Sequence, residues 1–389
     1  MKELLVMNIR HCKECLFPET KPDLFFNEEG VCTACQAAHE KVAVIDWAAK
    51  EKEFINIINK YKKKDNETGY DCLVPVSGGK DSTYQCYVAR KYGLNPLAVC
   101  FETTMVTELG RRNIDNISKM GIDLIHFKKN YQVYKKMVIE SFIRVGDEMW
   151  PNHIGIFTIP VMVAVKFNIP IILWGENSQQ EYGGPMEASR SPILNRRWLE
   201  EFGGLLGNRI QDMIGVRGIT TKELTPYFYP TDEEIERVGV RGLFLGHFFF
   251  WDARRQLQII LKETDFAIKE DGPTEGTYTN YENLDEKLVG LHDYLKYVKY
   301  GFGRATDHVC IDIRNKKLTR EEGLKLVKQY DGKYPHYAVA SFIEYSGMTN
   351  EEIDKVIDSF TNPLLFRQDE KGNFLRDENK NLIKNFEIK

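Results

Sequence analysis

LVPVSGGKDSTY, from Leu73 to Tyr84, is the stretch on which the fold turns. A short apolar run enters Ser77-Gly78-Gly79, and a helical pattern begins at once behind it. Further apolar runs of strand length lie at Cys72 to Val76, Pro96 to Phe101, Asp123 to Phe127 and Pro170 to Trp174. Amphipathic patterns follow Asp81, Thr107 and Tyr131, with another at 157–167. Strands alternating with helices predict parallel pairing through right-handed crossovers, hence a doubly wound α/β domain with ligands beyond the carboxyl ends of its strands.

The same stretch carries chemistry. Adjacent glycines let backbone N–H groups approach an anion without Cβ interference, and the helix behind them adds a positive dipole end. Ser77 and Ser82 can donate hydroxyls to phosphate oxygens, Lys80 adds charge, and Asp81 can hold magnesium. The order differs from GxxxxGK[ST], because the lysine precedes Asp81 and only two glycines are present. Downstream, IPIILWGENSQQEYGG ends an apolar strand in Gly175, Glu176 and Asn177, on the expected edge of the phosphate loop. Glu176 is the candidate second magnesium ligand, although Gly-Glu-Asn after a strand equally fits an N-cap or turn.

Near the start, Cys12 and Cys15 are separated from Cys32 and Cys35 by 16 residues. This falls within the C-x2-C-x15–20-C-x2-C zinc pattern, with His11 or His39 as alternative ligands. A segment this small cannot bury enough apolar surface to hold itself together, so a metal is expected to stabilise it. Cys72, Cys86, Cys100 and Cys310 sit among apolar neighbours and read as small buried hydrophobes. Further on, GFGRATDH combines Arg304, Asp307 and His308 with two glycines, and Arg314 follows. Forked arginine donors suit phosphate or carboxylate, yet a salt-bridged helix surface fits the pattern as well.

These signals divide the 389 residues into a zinc-binding module (1–42), a linker helix (43–69), the α/β core (70–178), an elaboration with a C-terminal helical part (179–360) and a polar tail (361–389). The tail is expected to form a loose hairpin or frayed end. The run GHFFFWDARRQ, from Gly246, reads either as a cover over the site or as the aromatic core of a helical subdomain. The formal net charge of -4 gives no global attraction to nucleic acid. No uncharged apolar run approaches the roughly 18 residues of a membrane span, and the start lacks an apolar core long enough for a secretory signal. The expected location is cytoplasmic, with no membrane or nucleic-acid partner.

The loop Ser77 to Ser82 resembles the SGGxDS loop of N-type ATP pyrophosphatases, the PP-loop group with an adenine nucleotide alpha hydrolase-like fold. Together with WGEN, TYTNYENLD and KYGFGRATDH, it is similar to the N-acetyl sugar amidotransferase family of bacterial surface-polysaccharide synthesis. That resemblance implies an ATP-dependent enzyme converting an acetamido group, on a nucleotide sugar or nonulosonic acid precursor, to an acetamidino group. It implies O-adenylation and ammonia attack, with release of AMP and pyrophosphate. On it, Ser77, Gly78, Gly79, Lys80, Asp81 and Ser82 bind ATP, Asp81 and Glu176 bind magnesium, and Asn177, Arg304, Asp307, His308 and Arg314 are substrate candidates. A separate glutaminase and a barrel-like companion subunit are the implied ammonia source. The alternatives are a tRNA thiolase, which typically needs a second cysteine pair that Cys72, Cys86 and Cys100 do not form, and a non-catalytic nucleotide-binding scaffold, against which the intact loop speaks.

Overall fold

The computed structural model describes residues 8–388. The apolar runs become β1 (Cys72–Val76), β2 (Pro96–Phe101), β3 (Asp123–Phe127) and β4 (Ile171–Trp174). With β5 (Ile193–Leu194) and β6 (Arg241–Phe244) they form a six-stranded sheet in the order β3-β2-β1-β4-β6-β5. All pairings are parallel except that of β5 with β6. The chain moves outward from β1 in both directions, so the switch point lies between β1 and β4, whose carboxyl ends carry Ser77 and Gly175.

Alternation along the strands supplies two cores, as the period of a strand requires. Leu73, Leu97, Val99, Phe101 and Ile172 face the helices Tyr131–Val145 and Trp150–Lys166, where Tyr134, Met137, Phe142 and Trp150 are buried. Cys72, Val74, Ala98, Cys100, Ile171 and Leu173 face the other way, onto helices Lys80–Lys91, Glu108–Lys119 and Trp47–Ile58. The scattered cysteines are therefore core residues.

Several boundaries differ from expectation. The linker segment expected to be helical over 43–69 forms a helix at Trp47–Ile58, capped by Asp46, which ends before Lys60. Phe54 roots that helix in the second core against Phe248, Phe249 and Tyr92. The helix expected at 157–167 starts at Trp150, with Pro151 in its first turn, where proline is tolerated because no donor is lost. β6 is added beside β4; its Gly242 is crowded, since a Cβ there would stand 2.7 Å from Trp174 Nε1 and 2.8 Å from Leu194 O.

The N-terminal module does not stand apart. Its cysteines, Leu16 and Phe17 share one apolar cluster with Phe302 and with Val309, Cys310 and Val327 from the helices Arg304–Arg314 and Arg320–Tyr330. Nor does the polar tail fray. DEKGN (369–373) and DENKN (377–381) each fold around an aspartate that accepts backbone N–H bonds from the residues after it. The hairpins so formed bury Leu365, Phe366, Leu382 and Phe386 against the main core. Among the described residues, no helix is long and apolar enough to cross a membrane.

Candidate active site

At the end of β1 the chain turns at Gly78, whose φ is +85°, and a Cβ there would lie 2.5 Å from Gly110 O and 2.8 Å from Ile114 Cγ1. Only glycine fits both the left-handed backbone and this close approach. Gly79 then starts the helix Lys80–Lys91 with no side-chain cap. Within the loop, Ser77 Oγ accepts from Gly79 N at 3.3 Å, and Ser82 Oγ donates to Gly79 O at 3.1 Å. The result is a stiff turn that presents an uncapped helix N-terminus, the arrangement that favours anions.

Asp81 and Glu176 stand on a wall shared by two cavities. One is a cleft of about 500 Å³, lined by Ser77 and Ser82 at the loop and by Phe101, Phe157 and Trp174 opposite. That volume lies within the usual range of small-molecule sites. The other is tighter and charged, lined by Lys80, Glu181, Tyr281, Glu282, His308 and Asp312 among others.

Electrostatics ties the two together. The buried Lys80 ammonium lies 2.6 Å from Asp81 Oδ1 and 3.3 Å from Glu282 Oε1. Burial opposes its charge, but Asp81, Glu282 and Glu176 outweigh that and hold its pKa up. Burial, followed by repulsion from Asp81, pushes Glu176 up to about 8, and burial likewise raises Glu282. Carboxylates crowded around one ammonium form a set of hard oxygen donors to which a divalent cation adds missing positive charge, so Asp81 and Glu176 fit magnesium.

Of the other predicted residues, His308 lines the charged pocket, its Nδ1 2.7 Å from Thr277 Oγ1. Burial and then the nearby Arg304 hold its pKa well below the ordinary value, so the imidazole is neutral. Arg304 itself forks onto Asp293, with Nε at 3.1 Å from both oxygens and a further nitrogen at 2.9 Å. Asp307 is paired with Lys296. Arg314 donates to Glu181 O at 2.5 Å and lies over the Phe17 ring, between the site and the cysteine module. Asn177 caps the turn Ser178–Glu181 and donates its amide to Ala188 O and Ser191 O. These four are bound within the protein, and they frame the site from outside.

Reasoning from sequence did not single out Glu181, Glu282 or Asp312. Glu181 is buried in an ion pair with Lys41 at 2.5 Å, which ties the N-terminal module to the pocket wall. Asp312 is gripped by Arg254 and by Tyr278 Oη. Glu282 belongs to the TYTNYENLD run, so its motif was visible while its partner Lys80, far away in sequence, was not.

The four module cysteines are buried and converge, with Sγ to Sγ separations of 3.8 Å for Cys12 and Cys35 and 3.7 Å for Cys15 and Cys32. Sulfurs bonded tetrahedrally to one zinc at about 2.3 Å stand about 3.8 Å apart, so the set fits a closed structural site. His39 instead pairs with Glu14 at 2.9 Å, and His11 Nδ1 meets Ile9 O at 3.0 Å. Neither belongs to the converging group.

Residues 275–379 match the model of a family described as LPS biosynthesis protein WbpG-like, C-terminal domain. That segment contains Glu282, Arg304, His308 and Asp312. No curated protein matches the chain. Among solved structures, an NMN synthetase from Francisella tularensis is 12% identical, with 58% of this chain and 99% of that one covered at a TM-score of 0.28. An NH3-dependent NAD synthetase from Campylobacter jejuni is 12% identical, with 55% of this chain and 95% of that one covered at a TM-score of 0.27.

Proposed function

We propose that the chain is an ATP-dependent amidotransferase that converts an acetamido group on a bacterial surface-polysaccharide sugar into an acetamidino group. The observation that carries this reading is the shared wall: Asp81 and Glu176 separate a loop-bearing cleft of nucleotide size from a charged pocket to which Tyr281, Glu282, His308, Ile311 and Asp312 are contributed by the segment similar to an LPS-biosynthesis family. A nucleotide in the first would meet an acceptor in the second at the carboxylates.

In this reading the helix N-terminus with Ser77 and Ser82 takes the phosphates, and Phe101, Phe157 and Trp174 cover the base. Asp81 and Glu176 would hold magnesium, which supplies charge neutralisation for the departing pyrophosphate. The amide oxygen attacks the α-phosphorus, because an amide is a poor electrophile until its oxygen becomes a leaving group. Pyrophosphate departs, ammonia adds to the activated carbon, and the oxygen leaves with AMP. Neutral His308, tied through Nδ1 to Thr277, keeps its other nitrogen for the acceptor. Lys80, gripped by Asp81 and Glu282, keeps a fixed positive charge between the cavities.

Ammonia would come from a separate glutaminase docked with a companion subunit. Cys72, Cys86, Cys100 and Cys310 are all buried, and burial raises each thiol, the opposite of an activated nucleophile. The test incubates the purified chain with ATP, magnesium and a panel of acetamido sugars, supplying either ammonium at raised pH or glutamine. AMP release with replacement of oxygen by NH, from ammonium alone, is expected. Absence of AMP with every acceptor would leave a nucleotide-binding scaffold, and turnover of glutamine by this chain alone would remove the companion glutaminase.

A further inference from the structure

The loop between helices Tyr131–Val145 and Trp150–Lys166 turns at Gly146, with φ +62°, and buries Asp147. Lys299 fixes this turn by donating to Val145 O and Gly146 O, both at 2.8 Å. Asp147 Oδ1 accepts from Met149 N at 2.9 Å and lies 2.9 Å from His292 Nδ1, which arrives from the helix Val289–Tyr300. His153, on the first turn of the helix after the loop, brings Nδ1 to 3.8 Å from Asp147 Oδ2. One ligand atom from each residue lies within 4.8 Å of the others.

Two details go beyond a hydrogen-bonded pair. His153 Nδ1 is buried without a hydrogen bond of good geometry, the backbone of Gly204 being the polar group beside the ring, and 3.8 Å is too long for it to use Asp147. A buried polar atom left unpaired calls for a water or an ion. Beside it runs Gly204, where a Cβ would stand 2.7 Å from that nitrogen. The space next to the ring is kept by a residue without a side chain. Ligands sharing one tetrahedral ion through bonds of about 2.0–2.2 Å stand about 3.4 Å apart. One carboxylate oxygen of Asp147 faces each imidazole, Oδ1 at 2.9 Å from His292 and Oδ2 at 3.8 Å from His153, distances on either side of that separation.

We propose that Asp147, His153 and His292 hold a divalent transition-metal ion, zinc being the best fit, at the wall of the nucleotide cleft. Two imidazoles and a carboxylate suit zinc and its neighbours in the first transition row, whereas the oxygen set of Asp81 and Glu176 suits magnesium. Three protein ligands leave one position for an exchangeable donor, in contrast to the closed cysteine site. His153 also lines the cleft with Ser77, Asp81 and Glu176, so that position opens on the same space. Water or ammonia is the class of donor that fits it.

The inference does not depend on which reaction the chain performs, and its test reads metal rather than turnover. The full-length protein is loaded with zinc, dialysed against metal-free buffer and assayed by elemental analysis. Two equivalents are expected in the parent and one in His153→Gln. His292→Asn provides a second variant, and circular dichroism checks that both are folded. Cobalt substitution separates the sites: the cysteine site gives intense thiolate charge-transfer bands, and the histidine site gives weaker visible bands that His153→Gln removes. One equivalent in the parent, unchanged in folded variants and with only the thiolate signature, would overturn the proposal.

Discussion

Two helices of this protein begin in nearly the same way and end in different roles. Lys80–Lys91 starts behind Gly79 and Arg304–Arg314 behind Gly303, both extended glycines without a side-chain cap of their own. Each is rich in charge in its first turn. Behind Gly303 the protein supplies its own anion: Asp331 accepts from Gly303 N at 2.9 Å and Thr306 N at 3.2 Å. Asp293 and Lys296 then neutralise Arg304 and Asp307. Behind Gly79, among the described residues, no carboxylate accepts from the backbone N–H groups that start the helix, and the loop faces a cleft. Glycine before a charged helix is therefore a phosphate signal only when the fold leaves the terminus open.

The comparison breaks most visibly at Arg304. If this arginine is an internal clamp, Arg304→Ala leaves Asp293 buried and unpaired and costs about 3–5 kcal/mol of stability. Urea denaturation monitored by tryptophan fluorescence checks it. Unchanged stability with a raised KM for the sugar would make Arg304 a substrate contact after all. At the open terminus the opposite balance is expected. Asp81→Asn leaves Glu282 beside Lys80 and should cost less stability than Arg304→Ala, while lowering AMP formation by about 10²–10³-fold, the scale of losing one charge-stabilising group. Near-normal turnover in that variant would remove the phosphate-loop assignment.

A third test uses the acids on the shared wall. Folding moves Glu176 from the ordinary 4.5 to about 8, chiefly by burial, so between those values the folded chain binds more protons than the unfolded chain. Stability of the ligand-free protein should therefore fall as pH rises through that window, by no more than about 1.4 kcal/mol per pH unit for one proton. Glu282 acts in the same direction. Magnesium, which favours the ionised acids, should flatten the slope. Thermal melts from pH 5 to pH 8 with and without it decide, and a slope indifferent to magnesium would detach Glu176 from the metal.

What could be read in advance follows from how local each signal is. The first three strands fall on the apolar runs, and the fourth starts one residue later, because strand, glycine turn and helix are written in neighbouring residues. β6 escaped because Arg241-Gly242-Leu243-Phe244 is short, lacks alternation and owes its place to β4. The same limit hid the site's outer half. Lys80 meets Glu282, Asp147 meets His292 and Leu16 N meets Cys310 Sγ across long separations that no spacing rule encodes. For Asn177 and for the helix of Arg304, the sequence left both a cap or salt-bridge reading and a ligand reading open, and the structure gives the local partners of each.

The smallest expected effect sharpens what an open terminus means. Ser77 Oγ accepts from Gly79 N at 3.3 Å, and its hydroxyl also bonds the carboxyl of Asp285, lowering a pKa that burial raises. Ser77→Ala removes one donor to a phosphate and releases Gly79 N–H, but leaves Gly78, the helix N-terminus and Ser82 in place. Loss of a single neutral hydrogen bond amounts to about 1 kcal/mol, so the KM for ATP should rise by about fivefold with kcat nearly unchanged. Pyrophosphate release at varied ATP resolves the two constants. A loss as deep as that of Asp81→Asn would mean that the hydroxyl, rather than the backbone and the helix dipole, grips the phosphates, and that an open N-terminus alone does not distinguish the two helices.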